Sequence, residues 1–218
     1  MTCFQIMTLV AVGICIFFCL KHIFRLIHLG KPKDLSQPTG DVKRAVIYSN
    51  TVAMSPMQKE SAYKHLPIYT MGIIFHIGSF LALLLFVFFF FSRFYDFLFA
   101  NQWITCFLST FLCISCLSGI SLFIKRLKSP KLQPFSNFDD YLSNALVSLF
   151  QLGTIAMLVM ICNLHVYLWI EASYYVTCTL LFLYLPFGKL KHVCYYFAAR
   201  YHLGFFYGWR NTWPPKHI

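Results

Sequence analysis

HLPIYTMGIIFHIGSFLALLLFVFFFFS (65–92) runs 28 residues without an Asp, Glu, Lys or Arg. A membrane's hydrocarbon core is crossed by about 20 predominantly apolar residues at ~1.5 Å of helical rise each, so this stretch suffices for a span. Four other stretches are equally free of charge: Met1–Leu20, Phe97–Ile124, Tyr141–Ile170 and Ala172–Gly188. The Phe-rich runs would also suit strands, but they are far too long, and backbone in hydrocarbon must satisfy its own hydrogen bonds; the spans are therefore expected to be helices. Of 218 residues 59% are hydrophobic and 11% charged, against the ~25% charged of an ordinary soluble domain. That balance argues strongly against a soluble globule.

The few charges are strongly segregated. Lys and Arg number eight in 21–64, one in 93–96, four in 125–140, none in 165–171 and five in 189–218. Seventeen of the eighteen thus fall on one side of a five-span chain, which the positive-inside rule makes cytoplasmic, with the N-terminus outside. The fold class expected is an all-α integral membrane protein, a five-transmembrane-helix bundle with a cytoplasmic C-terminus. Its spans are placed at 3–28, 66–92, 99–124, 142–165 and 172–197, with cytoplasmic loops 29–65 and 125–141 and a cytoplasmic tail 198–218. The first stretch lacks a basic region before its apolar part, since Lys21 and Arg25 follow it, so it reads as a span rather than a cleaved signal. All nine cysteines fall within or at the ends of apolar stretches and read as small hydrophobes. Cys113 and Cys116 form a CxxC inside the third span with no His after it, a poor match to covalent haem attachment or a zinc knuckle.

Outside the spans, the first loop is broken into short pieces by Pro32, Pro38, Gly40 and Pro56, and it either lies on the membrane surface or docks a partner. The tail LGFFYGWRNTWPP (203–215) is rich in aromatics, read either as an interfacial belt or as a protein-binding patch.

Apart from Lys and Arg at their inner ends, histidines are the only acidic or basic side chains within the spans, and an ionisable side chain in a bilayer is by default a functional candidate. His76 precedes Arg93 by 17 residues and His192 follows Glu171 by 21, which on continuous helices puts them about 25 and 31 Å from the outer ends. Both fall in the inner half or at the inner boundary. Two neutral imidazoles at one depth on facing helices are what a six-coordinate haem b needs; the alternative is histidines bonded to backbone or water within the bundle. Gly72, Gly78 and Ser79 beside His76 leave room for a flat macrocycle. His65 and His202 form a second possible pair about 15 Å further toward the cytoplasm, where solvated histidines are also expected. His22 and His28, in KHIFRLIH (21–28), look like a snorkelling helix end, and His165 and His217 have no evident partners.

Three segments carry a resemblance to a family. GDVKRAVIYSNTVAMSPMQKESAYKH (40–65) with GIIFHIG (72–78), IKRLKSPKLQPFSNFDDYLSNALV (124–147) and LPFGKLKH (185–192) occur in the right order and topology. Together they resemble the respiratory nitrate reductase gamma subunit and related membrane cytochromes b of heterodisulfide reductase, sulfite-reduction-associated and transmembrane redox complexes. The resemblance implies a b haem ligated by His76 and His192, with electrons passing between a quinone and a cytoplasmic iron–sulfur partner subunit in a hetero-oligomer of the prokaryotic cytoplasmic membrane. Dihaem members have a second ligand pair, which falls here on Phe86 and Tyr174, so one haem is expected rather than two. A quinone is then expected in the inner half, close to His76 and His192.

The leading expectation is a monohaem electron-transfer subunit, with a redox-silent membrane anchor or assembly subunit as its rival. A transporter would need broken helices and polar midplane residues, for which Asn144, Gln151 and Asn163 are the candidates. No paired carboxylates, phosphate-binding glycine loop or nucleophile–base set occurs. The basic inner surface follows from topology, so nucleic acid is not expected as a partner, whereas membrane lipid is.

Overall fold

The computed structural model describes residues 2–30, 33–58, 63–163 and 167–215. Its regular structure is helical throughout: α1 Cys3–Leu29, α2 Val42–Asn50, α3 Leu66–Phe88, α4 Ser92–Ala100, α5 Gln102–Lys128, α6 Phe138–Cys162, α7 Leu168–Tyr184 and α8 His192–Trp209, with short 3-10 turns between. Four of these helices, α1, α3, α5 and α6, are long and apolar enough to cross a membrane, and a fifth span is reached if α7 and Lys189–Trp209 are taken as one broken span.

The helix ends follow local chemistry. Gly30 adopts φ 74°, a left-handed conformation that glycine takes without a Cβ penalty, and it ends α1. Lys125, Arg126 and Lys128 sit in the last turn of α5, where cations complement the helix dipole. Asn137 opens α6 with a capping box: its side chain accepts from the Asp140 N–H at 3.0 Å while the Asp140 carboxylate accepts from the Asn137 N–H at 3.1 Å. Asp41 caps α2 by accepting from the Arg44 N–H at 3.1 Å.

Two of the expected spans are each divided between two helices. The segment expected to cross at 172–197 is not one helix, because α7 stops at Tyr184 and His192 begins another. Pro186 carries no N–H to continue the ladder, and Gly188 is so close to the Tyr184 ring that a side chain there would collide with it. Within the second expected span, 66–92, helix α3 stops at Phe88, and residues 92–100 form the separate helix α4, with neither Gly nor Pro marking the break.

The chain divides into two compact units. The first comprises residues 1–15 and 67–190. Its core is laid around α6, which packs on α5 and α7 and is the most deeply buried of the long apolar helices, α1 the least. From α1 only a single stripe, Thr8, Ala11 and Cys15, is buried. Helices so sparsely covered by their own chain present apolar surface such as Ile6, Val10, Phe107 and Leu117 outward, which fits contact with membrane lipid.

The second unit comprises residues 16–66 and 191–218, and its central contact is α2 packed across α8. The two backbones approach over small residues. A Cβ on Gly204 would lie 2.6 Å from the Val46 Cα, and one on Gly208 would lie 2.5 Å from the Ala45 Cβ. Ser49 Oγ donates to the Arg200 carbonyl at 2.7 Å. Thr39 N–H donates to the Trp209 carbonyl at 2.9 Å, and the Trp209 indole N–H donates to the Ser36 carbonyl at 2.8 Å. The Trp213 ring lies 4.6 Å from that of Tyr207 and 5.5 Å from that of Tyr48. The loop and the tail, both candidates for docking a partner, thus spend one face on each other, and the tail is helical to Trp209.

Candidate functional site

His76 lies on α3 in a turn fixed by its neighbours. Gly78 meets α5 so closely that a side chain would strike Ser115, and Phe75 fills the space beside Gly119. Ser115 Oγ donates to the Ile74 carbonyl at 3.1 Å. From α6, Gln151 Nε2 donates to the Phe75 carbonyl at 3.2 Å and to Ser79 Oγ at 2.9 Å, and the Gln151 side chain is fully buried. With Phe75 and Gly78 committed inward, His76 falls on the exposed side of α3, together with Ile73, Ile77 and Phe80.

The imidazole is oriented by one hydrogen bond: Nδ1 stands 2.7 Å from the Gly72 carbonyl oxygen. A carbonyl only accepts, so Nδ1 carries a proton, and the tautomer this bond selects for the neutral ring has its lone pair on Nε2. That tautomer is the one that presents Nε2 to a metal, with the Nδ1–H···O=C bond fixing ring orientation and raising ligand basicity. Nothing lies within 4 Å of where a Cβ on Gly72 would stand, so the helix surface one turn before His76 is open. An exposed imidazole oriented by a backbone carbonyl, beside an open helix face, has the geometry an axial haem ligand would need.

His192 is the first residue of α8 and is exposed. Its depth by continuous rise from Glu171 does not hold, because α7 ends eight residues earlier. The first turns of α8 are tied to α1, where Tyr195 Oη and His22 Nδ1 are 2.8 Å apart. Sequence reasoning placed His22 at a snorkelling helix end and missed Tyr195; two side chains 173 residues apart leave no local signal. His76 belongs to the first unit and His192 to the second.

The segment leading to His192 is anchored within the first unit. Asp140, 5% exposed, pairs with Arg126 at 3.0 Å and with Lys189, which joins the start of α6 to the end of α5 and to the break after α7. The Tyr184 hydroxyl donates to the Asp139 carboxylate, and the Lys189 N–H donates to Tyr184 Oη at 3.3 Å. These groups lie at the chain's basic side and were not singled out from sequence, although the acidic pair beside a capping Asn is a readable helix start.

Phe86 and Tyr174, where dihaem members would carry ligands, are 4% and 1% exposed. The Tyr174 ring stacks on Phe150 at 6.1 Å and 13°, Phe86 lies 5.0 Å from Phe182, and a Cβ on Gly153 would stand 2.9 Å from Tyr174 Cδ2. Both positions are occupied by packed rings of the first unit's core.

His202 lines a groove on α8 with Lys33 and Arg210, and His65 is exposed on the turn before α3. His165 and His217 lie outside the described residues. The polar residues weighed for a transporter have structural partners: the Asn144 amide donates to the Gly119 carbonyl at 3.3 Å, Gln151 binds α3 as above, and the Asn163 amide donates to the Val159 carbonyl at 2.9 Å. Among the described residues no three or more His, Cys, Asp or Glu side chains gather as a metal site.

No protein-family model matches the chain, and neither does any curated protein or solved structure.

Proposed function

We propose that the chain is a haem b-carrying membrane subunit of a quinone-linked redox complex, with His76 and His192 as the axial ligands. The observation that carries the reading is the His76 imidazole, held by the Gly72 carbonyl at 2.7 Å with Nε2 left to coordinate, on a helix face that its own chain leaves uncovered. The pairing with His192 rests on the resemblance of LPFGKLKH to the ligand-bearing motif of the nitrate reductase gamma group.

The haem, when bound, supplies one-electron transfer between a quinone and a cytoplasmic iron–sulfur partner subunit. The chain's own part is to hold the ligands. The Gly72 carbonyl sets the His76 tautomer, Ser115 and Gln151 hold the turn that carries it, and Asp140 fixes Lys189 three residues before His192. The charge segregation supports a cytoplasmic membrane with the N-terminus outside, placing the basic loops on the side of the partner. Packed aromatic rings at Phe86 and Tyr174 support a single haem and a quinone in the half of the bilayer nearer His76.

The test is a reduced-minus-oxidised spectrum and a pyridine haemochrome assay on the purified full chain. One low-spin b haem per chain is expected, lost in His76→Ala and in His192→Ala. A chain without a b-type signal would be the redox-silent anchor, and haem content unchanged in both variants would remove the ligand assignment.

A further inference from the structure

Within the second unit, the segment at Lys33–Leu35 lies beside α8 and forms with it an open groove of about 600 Å³. Its lining is mixed: Lys33, Asp34, His202 and Arg210 supply charge or donors, and Leu203 and Phe206 supply apolar surface. Arg210 is already committed. Its Nη1 pairs with Asp34 at 2.8 Å and donates to the Phe206 carbonyl at 3.1 Å, and its guanidinium lies 3.9 Å from the centre of the Phe206 ring. Asp34 is committed as well, since it also accepts from the Ser36 hydroxyl at 2.7 Å and the Ser36 N–H at 3.0 Å. Hydrogen bonds from Ser36, then Arg210, hold its carboxyl below the usual carboxylate range. The acid and one cation cancel, and the charge of Lys33, with the donor capacity of His202, is left for what enters.

Position in the chain identifies the entrant's surroundings. Lys33 is four residues past Leu29, the end of α1, and four residues reach at most ~14 Å. With 27 residues, α1 is about 40 Å long, the thickness of a bilayer with both headgroup layers. The groove therefore opens at or beside the headgroup layer. On α8, Val193, Phe197, Leu203 and Phe206 are exposed, apolar surface beside the groove that acyl carbons can meet.

From these observations we infer that the groove holds the phosphate of an anionic glycerophospholipid, with Lys33 and His202 on the headgroup and Leu203 and Phe206 against the first acyl carbons. The cationic rim complements the phosphate, and the apolar lining selects an amphiphile over a free anion. The site does not depend on the haem.

The test uses the full chain in detergent, with retained lipid counted by native mass spectrometry after exposure to phosphatidylglycerol, phosphatidylcholine or inorganic phosphate. A preference for phosphatidylglycerol is expected. It should fall about five-fold in Lys33→Gln and more in Lys33→Glu, at ~1 kcal/mol per basic residue near a membrane surface, and return in Lys33→Arg. Lys131→Glu, in another basic loop, is the control and should leave it unchanged. Equal retention of the two lipids by the native chain, a preference that survives Lys33→Glu, or displacement of the lipid by inorganic phosphate would each overturn the assignment. Because Lys33→Arg preserves charge and Lys33→Gln is a surface change, the comparison stands even if Lys33→Glu fails to fold.

Discussion

Gly204→Ala puts one methyl group where α2 crosses α8. Its Cβ would stand 2.6 Å from the Val46 Cα and 3.0 Å from both the Ala45 carbonyl oxygen and the Val46 nitrogen. These are backbone atoms, so no rotamer relieves the contact. To restore an ordinary separation α2 must retreat by most of an ångström. The Ser49 hydroxyl bond to the Arg200 carbonyl, now 2.7 Å, would then stretch to the limit of a hydrogen bond, at a cost of about 1 kcal/mol. Overpacking itself costs about 1–3 kcal/mol. Taking ~2 kcal/mol in total, the population with α2 undocked rises about 30-fold. Hydrogen exchange of the membrane-embedded chain, followed by mass spectrometry over peptides covering 42–50, reads that population directly. Gly13→Ala is the control, since nothing lies within 4 Å of its Cβ position. Exchange over 42–50 that is no faster in Gly204→Ala than in Gly13→Ala would refute the reasoning, because the close approach would then not be what holds α2.

Asp140→Ala removes the capping carboxylate of α6 and the shared partner of Arg126 and Lys189. The chain should lose about 2–4 kcal/mol, less than for a fully buried pair because Arg126 is 38% exposed, read as a lower Tm in detergent. Asp34 has a folded pKa below its unfolded one, so the stability it contributes is full above the ordinary carboxylate range and is lost as pH falls through the lowered value. Exchange over peptides covering 33–41 should therefore rise in that acid window, beyond the intrinsic pH trend, and Asp34→Asn should abolish the step.

Spans were legible because charge is so scarce: a helix such as α3 announces itself by what it lacks. The break after α7 was also written in the sequence, in Pro186 and Gly188, but reading depth by continuous rise passed over it. The end of α3 at Phe88 carries no such mark, and α4 was missed. His76 was legible as an imidazole inside a charge-free stretch, whereas its tautomer needed the Gly72 carbonyl's position. The docking of α2 on α8 left a signal that was not weighed. Ala45 and Ser49 are four apart on one helix, Gly204 and Gly208 four apart on the other, the small-residue spacing that lets helices approach closely. What no local pattern could supply is that these two faces belong together.

That pairing has a consequence for how the protein is made. Between Asn50 and His192 lie 141 residues, and at roughly 5–20 residues per second a ribosome takes on the order of 7–30 s to synthesise them. Throughout that interval α2 has emerged without α8, its Ala45 and Ser49 face uncovered, while the intervening spans are being inserted. The loop must therefore wait, on the translocation machinery, a chaperone or the membrane surface, and the second unit closes only after α8 has been translated.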